Sequence, residues 1–113
     1  MGEKEDSNMS YSLNDYQVDA MSVRLDSATP EYALLGLGGE VGEIYSLAAK
    51  AVRDGFKFDF EQNMKKELGD ALWFIAAIAA DNGFTLEDVA RGNINKLFSR
   101  KERGTLQGSG DNR

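Results

Sequence analysis

With 113 residues, 42% of them apolar and 28% charged, the chain has the size and composition of one compact domain rather than two, and not those of a disordered segment. It holds neither cysteine nor histidine, which excludes disulfide frameworks, thiolate or histidine zinc sites, Ser-His-Asp and Cys-His catalysis, and the Glu-x-x-His ligands of ferritin-like di-iron bundles. A net charge of −6 argues against binding nucleic-acid polymers, and leaves a hard, oxygen-liking cation (Mg²⁺, with Mn²⁺ as the alternative) as the natural intermediary for a phosphorylated ligand.

Met1 to Ser10 is polar and acidic, without the apolar stretch of a signal peptide, and reads as a flexible tail before a helical domain over residues 11–103. Ser12 or Asn14 can cap a first helix running to about Arg24 through Leu13, Tyr16, Gln17, Ala20 and Val23. Thr29-Pro30-Glu31 is a strong second start: a capping hydroxyl, proline at the first helical position and an acid in the first turn. This helix should reach about Arg53 with one wide apolar stripe from Leu34 to Val52. Gly36, Gly38, Gly39 and Gly42 interrupt it, at a cost of roughly 3–4 kcal/mol in total relative to alanine. Close approach of a helix or a ligand is the expected compensation.

Gly55 is placed to end the second helix, and Asp59 with Gln62 resembles a capping box for the third. The third helix is apolar nearly all round, which in so small a domain implies self-association. Asp81-Asn82-Gly83 closes it, and Thr85 opens a fourth helix to about Arg100. Residues 104–113 read as a second flexible tail. No strand and no apolar run of the roughly 18 residues that span a membrane is expected. The fold class is all-α, a four-helix bundle subunit completed by homo-oligomerisation.

Glu40 and Glu43 on the second helix, and Glu67 and Asp70 on the third, are each spaced to put both carboxylates on one helix face. If the two helices form an antiparallel hairpin about Gly55, Glu43 lies roughly level with Asp70, and Glu40 falls within about one 5.4 Å turn of Glu67. A lone Glu-x-x-Glu is usually a solvated face. Here both pairs interrupt apolar helices, and two carboxylates about 4 Å apart repel by roughly 4 kcal/mol at an effective dielectric of 20. A divalent cation would cancel that repulsion. Phe74 follows Glu67 and Asp70 around the third helix, whereas Trp73 points away and is expected in a core or interface. Asn93, Lys96 and Arg100 share one face of the fourth helix. On their own they are its wet side, just as Lys50 and Arg53 are charges suited to a helix C-terminus.

Taken together, Gly36-Leu37-Gly38-Gly39-Glu40-Val41-Gly42-Glu43 and Lys66-Glu67-Leu68-Gly69-Asp70-Ala71-Leu72-Trp73 resemble the MazG-like nucleotide pyrophosphohydrolases. Asp15-Tyr16-Gln17, Asn93-Ile94-Asn95-Lys96-Leu97 with Arg100, and Gly108-Ser109-Gly110-Asp111 extend the likeness over most of the chain. The resemblance implies hydrolysis of nucleoside triphosphates between the α and β phosphates, Mg²⁺ held by Glu40, Glu43, Glu67 and Asp70, and a homodimer or homotetramer of helical subunits. Many members carry a further acid directly before the first motif, where this chain has Gly39, so the number of metals stays open. Chemically, Glu43 is the first choice of general base and Glu40 the second. Lys96 and Arg100 suit the outer phosphates, Lys50 less directly, and Asn93 suits phosphate, sugar or base. The expectation is a cytoplasmic house-cleaning pyrophosphohydrolase. The alternatives are a non-catalytic helical module binding nucleotide and Mg²⁺, and a structural bundle with solvated acids.

Overall fold

The computed structural model describes residues 10–110, so the expected N-terminal tail and residues 111–113 lie almost wholly outside the described residues. Four helices follow in order: α1 (Leu13–Ser22), α2 (Pro30–Asp54), α3 (Phe60–Asp81) and α4 (Leu86–Glu102). No strand occurs among the described residues, and no helix there is long and apolar enough to cross a membrane.

The starts are set by local hydrogen bonding. Ser12 and Asp15 form a reciprocal capping box on α1, Thr29 accepts the Tyr32 N–H with Pro30 at the first helical position of α2, and Thr85 accepts the Asp88 N–H on α4. Asp59 does not behave as expected. Its backbone sits at φ −94° and ψ 3° rather than extended, so its carboxylate makes no cap hydrogen bond to the first turn of α3. Gly55 ends α2 at a φ of 96°, open to glycine and costly for other residues, with its N–H donated to the Ala51 carbonyl at 2.8 Å.

α2 and α3 form a long antiparallel hairpin, the dominant packing of the chain. α1 lies across the second half of α3, and α4 begins against the same region and does not touch α2. The core there is small: Ala20, Ala76, Ala79 and Leu86, with Tyr16, Met21 and Trp73 packed around them. Polar ties fix it. The Gln17 amide donates to the Ala76 and Phe84 carbonyls and accepts the Leu86 N–H, the Trp73 indole N–H donates to the Ala20 carbonyl, and Arg24 forks onto Asp81. After α4 the chain turns back on itself, with the Thr105 N–H bonded to the Arg100 carbonyl.

Among the described residues no large side chain is fully buried, while Leu35, Tyr45 and Val52 are more than 70% exposed. The radius of gyration, 17.1 Å, exceeds the roughly 13 Å of a compact domain of this length. A single copy leaves many large apolar side chains exposed to water.

Candidate functional site

Packing α2 against α3 sets the register of the acids. Carboxylate oxygens of Glu40, Glu67 and Asp70 all lie within 4.8 Å of one another. Glu40 is thus the α2 acid that meets Asp70, where the hairpin estimate had set Glu43 level with it. Glu43 is exposed and outside this group, though its charge still reaches Glu40. The Glu40 carboxyl is held above its ordinary range, first by desolvation, then by a hydrogen bond with Glu67, and further by the charges of Asp70, Glu67 and Glu43. Its Oε2 atom is buried and has no hydrogen-bond partner.

That combination tests whether a cation would fit. An unpaired buried carboxylate oxygen beside two further carboxylates is costly unless a proton or a positive charge joins it. Among the described residues no ion pair supplies one. An all-oxygen donor set suits Mg²⁺ or Mn²⁺ and gives no reason to expect a softer metal. The residues present fit a hard divalent ion.

One turn further along the hairpin the same two faces carry aromatic groups. Gly36, four residues before Glu40, lies under Phe74, four residues after Asp70, and a Cβ at position 36 would collide with the Phe74 ring. Of the four glycines of α2, this is the one whose space the chain itself fills; Gly38, Gly39 and Gly42 face open space. Tyr32 packs on Phe74 with ring centroids 5.9 Å apart, and Trp73 meets Phe74 edge-on at 5.3 Å. Phe74 therefore faces α2 as its phase predicts and Trp73 faces α1, yet both rings line one cavity.

The remaining candidate residues lie elsewhere in the chain. Lys50 lines a hollow at the α2–α3 turn with Asp54, Lys57 and Asp59, about 15 Å along α2 from Glu40 at 1.5 Å per residue. Asn93 and Lys96 share an open groove on α4 with Phe84, Asp88 and Val89. Arg100 is only 4% exposed, and its guanidinium donates to the Gly110 carbonyl at 3.4 Å. One chain thus brings three acids and Phe74 together on α2 and α3, and keeps Asn93, Lys96 and Arg100 on α4 and Lys50 at the turn.

Two residues near the site were not among the candidate site residues read from sequence. Tyr16 lies close enough to Asp70 that, after burial, the Asp70 charge is what raises its hydroxyl pKa. Tyr32 continues the ladder Glu40, Gly36, Tyr32 at four-residue steps, so following that face back along α2 would have found it.

The model of the MazG nucleotide pyrophosphohydrolase domain family matches residues 28–105, a span that opens at the cap of α2, contains all four acids and closes beyond α4. The Gene 37 protein of Mycobacterium phage L5 is 44% identical over 85 residues, covering 73% of this chain and 75% of that protein. No solved structure matches significantly.

Proposed function

This chain belongs to the MazG nucleotide pyrophosphohydrolase domain family, and on that footing we propose that it is an Mg²⁺-dependent enzyme cleaving (deoxy)nucleoside triphosphates between the α and β phosphates. The products are a nucleoside monophosphate and pyrophosphate, and the role is house-cleaning of the cytoplasmic nucleotide pool. The observation that carries the reading is the meeting of Glu40, Glu67 and Asp70 around a buried, unpartnered Glu40 oxygen.

Glu40, Glu67 and Asp70 would hold the ion, and Glu43 completes the set from its exposed position one turn away. When bound, Mg²⁺ supplies Lewis acidity and the positive charge that lets an acidic protein accept a polyphosphate. The chain's own carboxylates do the proton chemistry. Glu43, exposed to solvent, accepts the proton of the water that attacks the α phosphorus; Glu40 is the second choice for that role. Lys96 and Arg100 neutralise the outer phosphates, Asn93 and Lys50 add polar contacts, and Phe74 offers the base an apolar face. These groups stand apart in one chain, and so much apolar surface is exposed that the working form is a homodimer or homotetramer.

The test is pyrophosphate release from a panel of ribo- and deoxyribonucleoside triphosphates, with Mg²⁺ and with chelator. Release that needs Mg²⁺ and disappears in Glu67→Gln is the expected result. No release from any nucleotide by folded protein, or unchanged release by Glu67→Gln, would sink the assignment.

A further inference from the structure

At Arg100, charge and burial are at odds. Among the described residues it is the one charged side chain that is buried, at 4% exposure. Burying a guanidinium is costly unless its donors are met. Helix packing does not account for it. The ties that hold α4 to α1 and α3 lie at its start, where the Leu86 N–H meets Gln17 and the Glu87 N–H meets Asn14. Arg100 lies about 21 Å further along the helix at 1.5 Å per residue. Its neighbours Phe98, Ser99, Lys101 and Glu102 are all exposed, and only Lys96 and Leu97 beside it are half-buried.

The chain that follows α4 is what covers this residue. Gly104, at φ 72°, turns it out of the helix. The Thr105 N–H then bonds the Arg100 carbonyl at 2.8 Å, and the Arg100 guanidinium donates to the Gly110 carbonyl at 3.4 Å. Residues 104–110 thus meet Arg100 twice, at its backbone and again at its side chain. They are nevertheless lightly held. All but the half-buried Thr105 are exposed, and Leu106 is the one large apolar side chain among them.

The covered guanidinium is the group suited to the outer phosphates, and it cannot meet them from beneath this segment. A neutral carbonyl at 3.4 Å is a weak partner for it. A phosphate offers full charge and two-point geometry. We propose that residues 104–110 form a strap that covers Arg100 and yields it to the outer phosphates of the substrate, so that binding works against the closed strap. The proposal rests on the reading of Arg100 as a phosphate ligand. Apparent affinity is then the intrinsic affinity reduced by the fraction of molecules with the strap open. Loosening the strap should tighten phosphate binding.

Gly110→Ala loosens it selectively. The new Cβ meets nothing within 4 Å, but a φ of 86° is strained for alanine, which should shift the balance toward the open strap about tenfold. Two readouts on the full-length protein follow that shift. The first is the rate at which an arginine-selective dicarbonyl modifies Arg100, resolved by peptide mass spectrometry with the exposed Arg91 as internal reference. The second is the dissociation constant of inorganic tripolyphosphate in Mg²⁺. In wild type, Arg100 should react far more slowly than Arg91. In Gly110→Ala its rate should rise about tenfold, and the tripolyphosphate constant should fall by the same factor. In turnover the variant should show a lower KM with kcat little changed. Removing residues 105–113 should bring Arg100 close to the reactivity of Arg91.

Arg100 as reactive as Arg91 in wild type would overturn the proposal. So would protection that survives in a truncated protein melting like wild type, or a Gly110→Ala protein that exposes Arg100 and binds tripolyphosphate no tighter. Should the truncated chain not fold, Gly110→Ala decides alone, since it alters one backbone preference. Neither readout needs turnover, so failure here is separable from failure of the hydrolase reading. Paired shifts without pyrophosphate release would retain the strap and remove the enzyme; release with neither readout moved by Gly110→Ala would do the reverse.

Discussion

Glu40→Gln is the most informative single substitution, because it should move stability in opposite directions with and without metal. The change keeps the side chain's shape and removes one charge from a group whose oxygens lie within 4.8 Å of one another. At that separation each carboxylate pair repels by roughly 0.9 kcal/mol at the dielectric of water and roughly 3.5 kcal/mol at an effective value of 20. Asp70 is exposed and Glu40 and Glu67 only half-buried, so the low end applies. Loss of the pairs with Glu67 and Asp70 should therefore stabilise the metal-free protein by roughly 1–2 kcal/mol, a melting temperature about 4–8 °C higher in chelator. Wild type in Mg²⁺ at a hundred times its Kd should gain about 2.7 kcal/mol, and Glu40→Gln should lose most of that gain. pH supplies a control. A carboxyl whose folded pKa is raised binds its proton more tightly in the folded state, so its stabilising contribution is complete at acid pH and declines as pH rises from the ordinary carboxylate range through the raised value. The advantage of Gln in chelator should accordingly shrink at acid pH, and so should the Mg²⁺ gain of wild type, since metal must displace that proton. Thermal melts across pH, with and without Mg²⁺, read all of this. A Gln variant that melts no higher than wild type in chelator and still gains fully from Mg²⁺ would refute the reasoning.

Alanine at Gly36 collides with the Phe74 ring, whose Cδ1 alone would lie 2.8 Å from the new Cβ; overpacking of about 1–3 kcal/mol should outweigh a propensity gain of about 1 kcal/mol and lower the melting temperature. Alanine at Gly38 or Gly42 meets nothing within 4 Å in one chain, so melts of a dilute monomer should rise, and a fall that grows with protein concentration would instead locate a subunit contact there. Gln17→Leu strands the Phe84 carbonyl and the Leu86 N–H at about 1–3 kcal/mol each if they stay dry, and should destabilise by at least about 2 kcal/mol in denaturant titration. The Tyr11 hydroxyl, donated to Asp19 at 2.6 Å, titrates at about 12, so its bond is complete below pH 10 and lost as pH rises toward 12. Asp19→Asn should return it toward its ordinary value of 10.0 in tyrosinate absorbance.

Local chemistry was legible where one residue decides the outcome. Thr29-Pro30, Thr85 and Gly55 each mark a boundary that the fold keeps, because a cap or a positive φ depends on neighbours in sequence. Asp59 misled because its carboxylate needed an extended backbone, and the turn after Gly55 gives it a nearly helical one. The acid pairs were legible as pairs, since i, i+3 spacing fixes a face, but which acid of α2 meets which of α3 depends on how two whole helices pack. That is why Glu40 rather than Glu43 meets Asp70. The glycines show the same limit: their cost is readable, but the close approach that justifies it is visible only at Gly36. Gln17 gave no warning of its place in the core, because a polar residue becomes buried only when three partners arrive from distant segments.

Gln17 also divides the molecule in the way it opens. Its amide joins α1 to the end of α3 and the start of α4 across separations of 59 to 69 residues. Fraying of α1 at Gln17 therefore costs the tie between α3 and α4, and the Leu86 amide is protected by the same side chain. The exposed leucines of α2 take no part in that corner. This arrangement predicts two cooperative units that share α3, a corner tied together by Gln17 and the acid-bearing α2–α3 hairpin. Hydrogen exchange should register the first as the slowest amides of the protein, and binding of metal as a selective slowing of the second.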